Sequence, residues 1–109
     1  MEPTYFATSN SFRFEDKIEY SEGGIVSKKV IQKETGNITL FAFDKDQKLS
    51  EHTAPFDALV QVLEGEAEII IGGCPNNLTA GLSILMPAGI PHAVNALSPF
   101  KMLLTMIRG

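Results

Sequence analysis

Two histidines, His52 and His92, are the side chains of this 109-residue chain best suited to chemistry. An imidazole can coordinate a metal through one ring nitrogen, and it can give or take a proton near neutral pH. His52 enters a predicted strand in the stretch "LSEHTA", but Ala54 stands two residues later, where a second metal ligand would be expected. The histidines are therefore half of a metal site, polar anchors for an organic ligand, or packed side chains without chemistry.

Strand alternation predicts which side chains accompany the two rings, because successive residues of a strand point to opposite faces. In "HAVNAL", His92 shares a face with Val94, and one face of the final stretch "FKMLLTMI" is wholly apolar, so we expect it to point inward. Its two methionines would make an adaptable lining. The predicted ligand pocket consists of His52, His92, Val60, Met86, Val94, Phe100, Met102 and Leu104.

Asp57 and Gln61 are the nearest candidates for an additional metal ligand. Counting from an inward His52, even-numbered positions such as Ala58 face the interior, and both candidates then face outward. A bulge at Pro55 would reverse this register and turn both inward, since proline cannot donate to a strand ladder. The sequence leaves the two registers open.

The elements that position these residues are short strands separated by Gly, Pro and Asn, which indicates an all-β sandwich or barrel. The strand "ITLFAFD" is apolar on both faces, so we expect both to be covered. Glu64-Gly65 is predicted to be a hairpin turn, and "IGGCPNN" the next turn. Residues 11–20 are predicted to form a short helix, because Phe14 and Ile18 are four apart.

Composition excludes several classes of protein. The length predicts one domain, and 44% hydrophobic residues with 20% charged residues indicate a folded chain. A net charge of −4 argues against a nucleic-acid groove. Cys74 is the only cysteine, so it forms no intrachain disulfide. The start does not resemble a signal peptide and the apolar runs are too short to span a bilayer, so we expect a cytoplasmic protein without membrane contact.

The stretch "GLSILMPAGIPHAVNA" places Gly81, Pro87, Gly89 and His92 at fixed spacing. This pattern resembles the second motif of the cupin superfamily, G-x5-P-x-G-x2-H-x3-N, with Ala96 at the final Asn. The first cupin motif, G-x5-H-x-H-x3,4-E-x6-G, is matched at His52 and Gly65. Asp46 occupies the position of its opening Gly, Ala54 that of its second His and Ala58 that of its Glu.

The resemblance, to small single-domain bacterial cupins of the cupin 2 conserved-barrel type, covers about residues 36–107. It implies a double-stranded β-helix, or jelly-roll barrel, in which His52 and His92 converge on adjacent strands. Residues 1–109 would form one cupin domain, with 1–35 as an N-terminal extension and sheet-edge strand. Typical cupins hold a divalent metal (Zn, Fe, Mn or Ni) with two or three His and one Glu. Only His52 and His92 match that set here.

Three functions follow from these observations. The first is a binding module that holds a small organic ligand between His52 and His92. The alternative is a metal-dependent cupin enzyme of dioxygenase, isomerase or decarboxylase type, and the third is a structural unit without ligand. Strands apolar on both faces also predict a homodimer, in which the outward face packs against a second copy.

Overall fold

The computed structural model describes residues 6–108, in which nine strands follow one short 3₁₀ helix at Phe14–Lys17. The strands are β1 (Ile25–Lys33), β2 (Gly36–Phe43), β3 (Lys48–His52), β4 (Asp57–Glu64), β5 (Glu66–Ile71), β6 (Cys74–Thr79), β7 (Ser83–Met86), β8 (His92–Ala96) and β9 (Phe100–Ile107). No helix in this range is long and apolar enough to cross a membrane.

The strands form two antiparallel sheets. One has five strands in the order β1-β2-β9-β4-β7, and the other has four in the order β3-β8-β5-β6. From β2 onward the chain changes sheet at every connection except the β5–β6 hairpin, which is the connectivity of an eight-stranded jelly roll. The predicted all-β jelly-roll fold is confirmed, and β1 adds one strand at the edge of the larger sheet.

The two ends of the jelly roll differ in what they carry. At one end β3 stops at His52, β8 begins at His92, and residues 53–56 and 87–91 cross between the sheets. In the larger sheet, Ile107 of β9 pairs with both Gly36 and Asp57, so β2 and β4 begin at this end and β9 stops there. We call this the histidine end. The opposite end is crossed by the short connections 44–47, 65, 80–82 and 97–99.

Two hydrophobic clusters pack against opposite faces of the larger sheet. The inner core fills the space between the sheets, and the rings of Phe43 and Phe100 stack there with centroids 4.6 Å apart. The outer cluster joins Leu40, Ala42 and Leu103 to Ile18 of the N-terminal segment. The expectation that both faces of "ITLFAFD" are covered is therefore confirmed, and the chain's own N-terminal segment supplies part of the outer cover.

Three local predictions need correction or refinement. Glu64 and Gly65 do not form a hairpin, because β4 and β5 lie in different sheets and the chain crosses between the sheets at Gly65. The stretch "IGGCPNN" is only partly a turn, since β6 begins at Cys74 and Pro75 is accepted in this edge strand. The N-terminal helix is limited to one 3₁₀ turn, and Ile18 after it has extended backbone.

Candidate functional site

A β-bulge in β3 brings the two histidines together. In the β3–β8 pairing Leu49 lies opposite Val94 and His52 opposite His92, so β3 uses one residue more than β8 between these pairs. The extra residue reverses the alternation of β3. Leu49 packs against the inner core, and His52, three residues later, is aligned with the inward-facing His92. No residue pattern in the sequence predicts this bulge, which lies before His52 and not at Pro55.

The two imidazole rings are in direct contact, with centroids 4.4 Å apart and planes inclined by 68°. His92 is only 6% exposed, whereas His52 is exposed to solvent. The pair therefore lies at the rim of the interior, with one ring inside and one accessible from outside. This contact confirms the predicted convergence of the two rings.

Backbone carbonyls fix the orientation of both rings. Nδ1 of His52 lies 2.7 Å from the Ser50 carbonyl oxygen, and Nδ1 of His92 lies 3.4 Å from that of Ile90. A carbonyl oxygen only accepts, so in each neutral ring Nδ1 carries the proton and Nε2 keeps its lone pair. The site thus offers two Nε2 acceptors side by side.

His92 is held in its neutral form by its surroundings. Burial is the largest cause of the lowered pKa of His92, and the neighbouring His52 adds to it. The Ile90 carbonyl opposes the shift, because it stabilises a protonated ring. At neutral pH the His92 ring therefore accepts a hydrogen bond or binds a cation through Nε2.

The other predicted pocket residues lie in the inner core. Val60, Val94, Met102 and Met86 are 0–3% exposed, and Leu104 is half-buried beside them. Phe100 starts β9 at the end of the jelly roll remote from the histidines. The structure therefore brings His52 and His92 together and places most of the apolar set in the packed core between the two sheets.

The residues present do not fit a metal held by three or four protein ligands. Ala54 and Ala58 carry no donor atom, and the burial pattern of β4 turns Asp57 and Gln61 away from the core. Asp57 is exposed and its Oδ1 accepts a hydrogen bond from the Ala88 amide. Within residues 6–108 no three His, Cys, Asp or Glu side chains are grouped so that they could hold a metal ion. Two neutral imidazoles bind a divalent cation only weakly.

Comparison with known proteins agrees with this fold and with the motif spacing. The family model for the cupin domain matches residues 39–107. This chain belongs to the cupin family. A search of curated proteins gave no match.

Solved structures resemble this cupin over most of its length. A conserved protein of unknown function from Streptococcus pyogenes is 33% identical with a TM-score of 0.91, over 95% of this chain and 91% of that one. A cupin superfamily protein from Desulfitobacterium hafniense is 26% identical with a TM-score of 0.89, over 94% of both chains. A cupin 2 conserved barrel domain protein from Leptotrichia buccalis is 42% identical with a TM-score of 0.86, over 89% of this chain and 47% of that one.

Asp46 shows how this cupin keeps the backbone of its first motif without the usual glycine. Its φ is +68°, in the left-handed region that glycine adopts freely. Aspartate tolerates this region better than most residues do. The Asp46 amide donates to the Ala96 carbonyl, which closes the connection between β2 and β3 against β8. The first position of the motif therefore has a backbone conformation that glycine would adopt freely, although the residue is an aspartate.

Proposed function

We propose that this cupin binds a small organic molecule at the histidine end, with His52 and His92 as polar anchors of a depleted metal site. The observation that carries the proposal is the pair of Nε2 acceptors at the rim of an apolar interior. A ligand with donor groups would hydrogen-bond to both Nε2 atoms. Small-molecule sites commonly combine an apolar lining with a few placed polar groups.

The alternative function is a metal-dependent cupin enzyme. The same two Nε2 lone pairs favour it, because imidazoles that coordinate metals usually donate their other ring N–H to a carbonyl or carboxylate. For this function, water or substrate would fill the coordination positions left by Ala54 and Ala58. The binding function needs no metal-coordinating side chains other than those present, and for that reason we prefer it.

Mass spectrometry and elemental analysis of protein purified without a His-tag distinguish the two functions. We expect a small molecule that is retained under native conditions, is released on denaturation and is absent from His52→Ala and His92→Ala. Glu51→Gln is the matched control, because Glu51 is exposed beside His52 and is not part of the pair. Stoichiometric metal that disappears in both histidine variants would instead establish the enzyme function.

A further inference from the structure

Two polar side-chain atoms of the described residues are buried without a hydrogen-bond partner, namely Asn37 Oδ1 and Arg108 Nε. Asn37 as a whole is only 8% exposed. Native proteins pair nearly all such atoms, and the exceptions frequently mark functional positions. Neither atom has a role in the packing described above.

Asn37 faces the interior at the histidine end. It is the second residue of β2 and lies opposite Met106, which packs against the inner core. Phe41 and Phe43, on the same face of β2, also belong to that core or pack on it. Because β3 follows β2 through residues 44–47 into the opposite sheet, the start of β2 lies across the interior from His52, where β3 ends. Packed sheets are about 10 Å apart, a gap that a small molecule can bridge.

Arg108 lies at the same end. It follows the last residue of β9, and its amide donates to the Thr35 carbonyl in the turn before β2. Its guanidinium carbon lies 4.8 Å from the centroid of the Phe56 ring. Phe56 belongs to the connection 53–56 that leaves His52, so the contact with this ring keeps the guanidinium at the histidine end.

We infer that Asn37 and Arg108 are further ligand-binding residues and that the ligand is a small carboxylic acid bearing several hydroxyl groups. The inference rests on the proposed function and names the chemical class that the site selects. The two Nε2 atoms and Asn37 Oδ1 are all acceptors, so the ligand supplies donors, for which hydroxyl groups are suited. Arg108 is the one cationic donor of the set and carries a full positive charge, which matches a carboxylate.

The ligand's length follows from the positions of the four groups. Asn37 and His52 lie on facing sheets, and Arg108 extends from the end of β9 beside them. A molecule that reaches from one sheet to the other needs a backbone of roughly three to six carbons, given sheets about 10 Å apart and side chains on both sides. Longer polymers are not required by the geometry.

Calorimetric titration of the full chain with gluconate, and with sorbitol as its neutral counterpart, tests the class of ligand. Lactate and malate extend the series to shorter hydroxy acids. We expect the acids to bind and sorbitol to bind at least about tenfold more weakly, because a charge-assisted hydrogen bond is roughly twice as strong as a neutral one. Equal binding of gluconate and sorbitol would overturn the inference.

Two substitutions test the residues. Arg108→Met keeps an apolar side chain on Phe56 but removes every donor, and it should weaken gluconate binding by about tenfold or more. Arg13→Met, at the chain's other arginine, is the matched control and should leave binding unchanged. Asn37→Leu should weaken binding about fivefold while the melting temperature of the ligand-free protein stays equal or rises, since it removes an unpaired buried acceptor. A fall in melting temperature without a loss of affinity would assign Asn37 a structural role only.

His52→Ala separates failure of the inference from failure of the proposed function. Gluconate binding that is lost in His52→Ala but unchanged in Arg108→Met and Asn37→Leu would overturn the roles of Asn37 and Arg108 and leave the proposed function standing. Binding that none of these substitutions affects would overturn both. If no hydroxy acid binds, the ligand class is wrong, and the co-purified molecule decides the proposed function independently.

Discussion

At the scale of single residues, the ring of His92 is neutral under conditions in which a free imidazole would begin to take up a proton. Its pKa lies below the ordinary value of 6.5 because the charged form is buried beside a second imidazole. The unfolded chain therefore binds more protons than the folded chain as the pH falls through this range. The contribution of His92 to stability is greatest above pH 6.5 and is lost as the pH falls through the lower folded-state pKa.

Denaturation at a series of pH values between about 7 and 5 tests this consequence. We expect the free energy of unfolding to fall more steeply with decreasing pH in the native protein than in His92→Gln. The difference between the two proteins isolates His92 from the carboxylates, which titrate in both. NMR titration of the His92 ring should give a pKa below 6.5. Parallel stability curves would contradict the prediction.

Asp46 provides a second test at this scale, because its φ of +68° is one that few side chains adopt. Asp46→Gly should change the free energy of unfolding by less than about 1 kcal/mol, because two effects nearly cancel. Glycine adopts a positive φ without strain, but it loses more conformational freedom on folding than aspartate does. Asp46→Val should destabilise by about 1–2 kcal/mol, because a β-branched residue is disfavoured there. Urea denaturation of the three proteins measures both values, and equal stability of the valine variant would show that this backbone region adapts.

At the scale of elements, the crossing between β4 and β5 depends on Gly65. A Cβ atom at this position would lie 2.7 Å from Phe100 Cα and closer still to the Pro99 carbonyl oxygen. The φ of Gly65 is +80°, and Gly73 in the β5–β6 hairpin has a φ of +81°, but a Cβ atom added at Gly73 would have nothing within 4 Å. The two glycines therefore have nearly the same φ but differ in the space around them.

Substituting alanine at each glycine separates these two effects. Gly73→Ala should cost about 1 kcal/mol from the backbone conformation alone. Gly65→Ala should cost about 3 kcal/mol or more, because two backbone segments must also move apart. Thermal or urea denaturation gives both numbers. Similar costs at the two positions would mean that the contact between residues 65 and 99–100 is easily displaced.

The N-terminal segment is held on the outer face of the larger sheet by apolar and polar contacts. Ile18 is 1% exposed within the outer cluster. Nζ of the buried Lys101 donates to the Glu15 carbonyl at 2.6 Å and lies 5.0 Å from the centre of the Tyr20 ring. Ile18→Ala should destabilise by about 2–4 kcal/mol, whereas Ile90→Ala, at a residue that is 40% exposed, should cost about 1 kcal/mol or less. Urea denaturation measures both losses, and comparable losses at the two positions would show that the segment contributes little to folding.

Strand alternation was the reliable part of the sequence interpretation. It correctly placed His92 and Val94 on one buried face, because inward and outward residues differ in hydrophobicity. It left the orientation of Asp57 open, and the structure shows this residue on the outside. It failed where conformation depends on contacts distant in sequence. The bulge before His52 is defined only by pairing with β8, and the Gly65 crossing resembles a hairpin turn until the partners of both strands are known. The unpaired atoms of Asn37 and Arg108 are visible only in the folded chain.

At the scale of the whole molecule, part of the outer face of the larger sheet carries exposed apolar side chains that no residue of 6–108 covers. One row of paired residues crosses all five strands on this face and consists of Leu85, Leu59, Thr105, Ile38 and Ile31. Leu85 is 67% exposed and the neighbouring Ile107 is 62% exposed. The outer face of "ITLFAFD" predicts a homodimer, but the N-terminal segment covers part of that face, and Ile31 and Ile38 pack partly against the outer cluster. The exposed apolar residues at the edge of this cover, such as Ile107, are therefore the better candidates for the interface.

The charges beside the row would make the face complementary to a second copy of itself, as the predicted homodimer requires. A parallel row runs from Asp57 through Ile107 and Gly36 to Lys33, with an acid at one end and a base at the other. A twofold axis between β9 and β2, along the strands, places each Asp57 opposite the other copy's position 33. The same axis sets Ile107 against the glycine position of the facing sheet. Such self-complementarity is the requirement for a closed twofold dimer, and sheets pack face to face in nearly this alignment.

Sedimentation velocity at micromolar concentration therefore should give a dimer for the native protein and a monomer for Ile107→Glu, because the introduced carboxylate would be buried next to the axis beside Asp57 of its own sheet. Leu82→Glu is the matched control, since Leu82 is 50% exposed but lies before β7, at the opposite end of the sheet from Asp57. Lys33→Glu should also weaken the dimer, through repulsion from Asp57 of the facing copy. A native protein that sediments as a monomer, or an Ile107→Glu variant that remains dimeric, would show that this face is not the interface, and the apolar row would then have to be explained by a different partner.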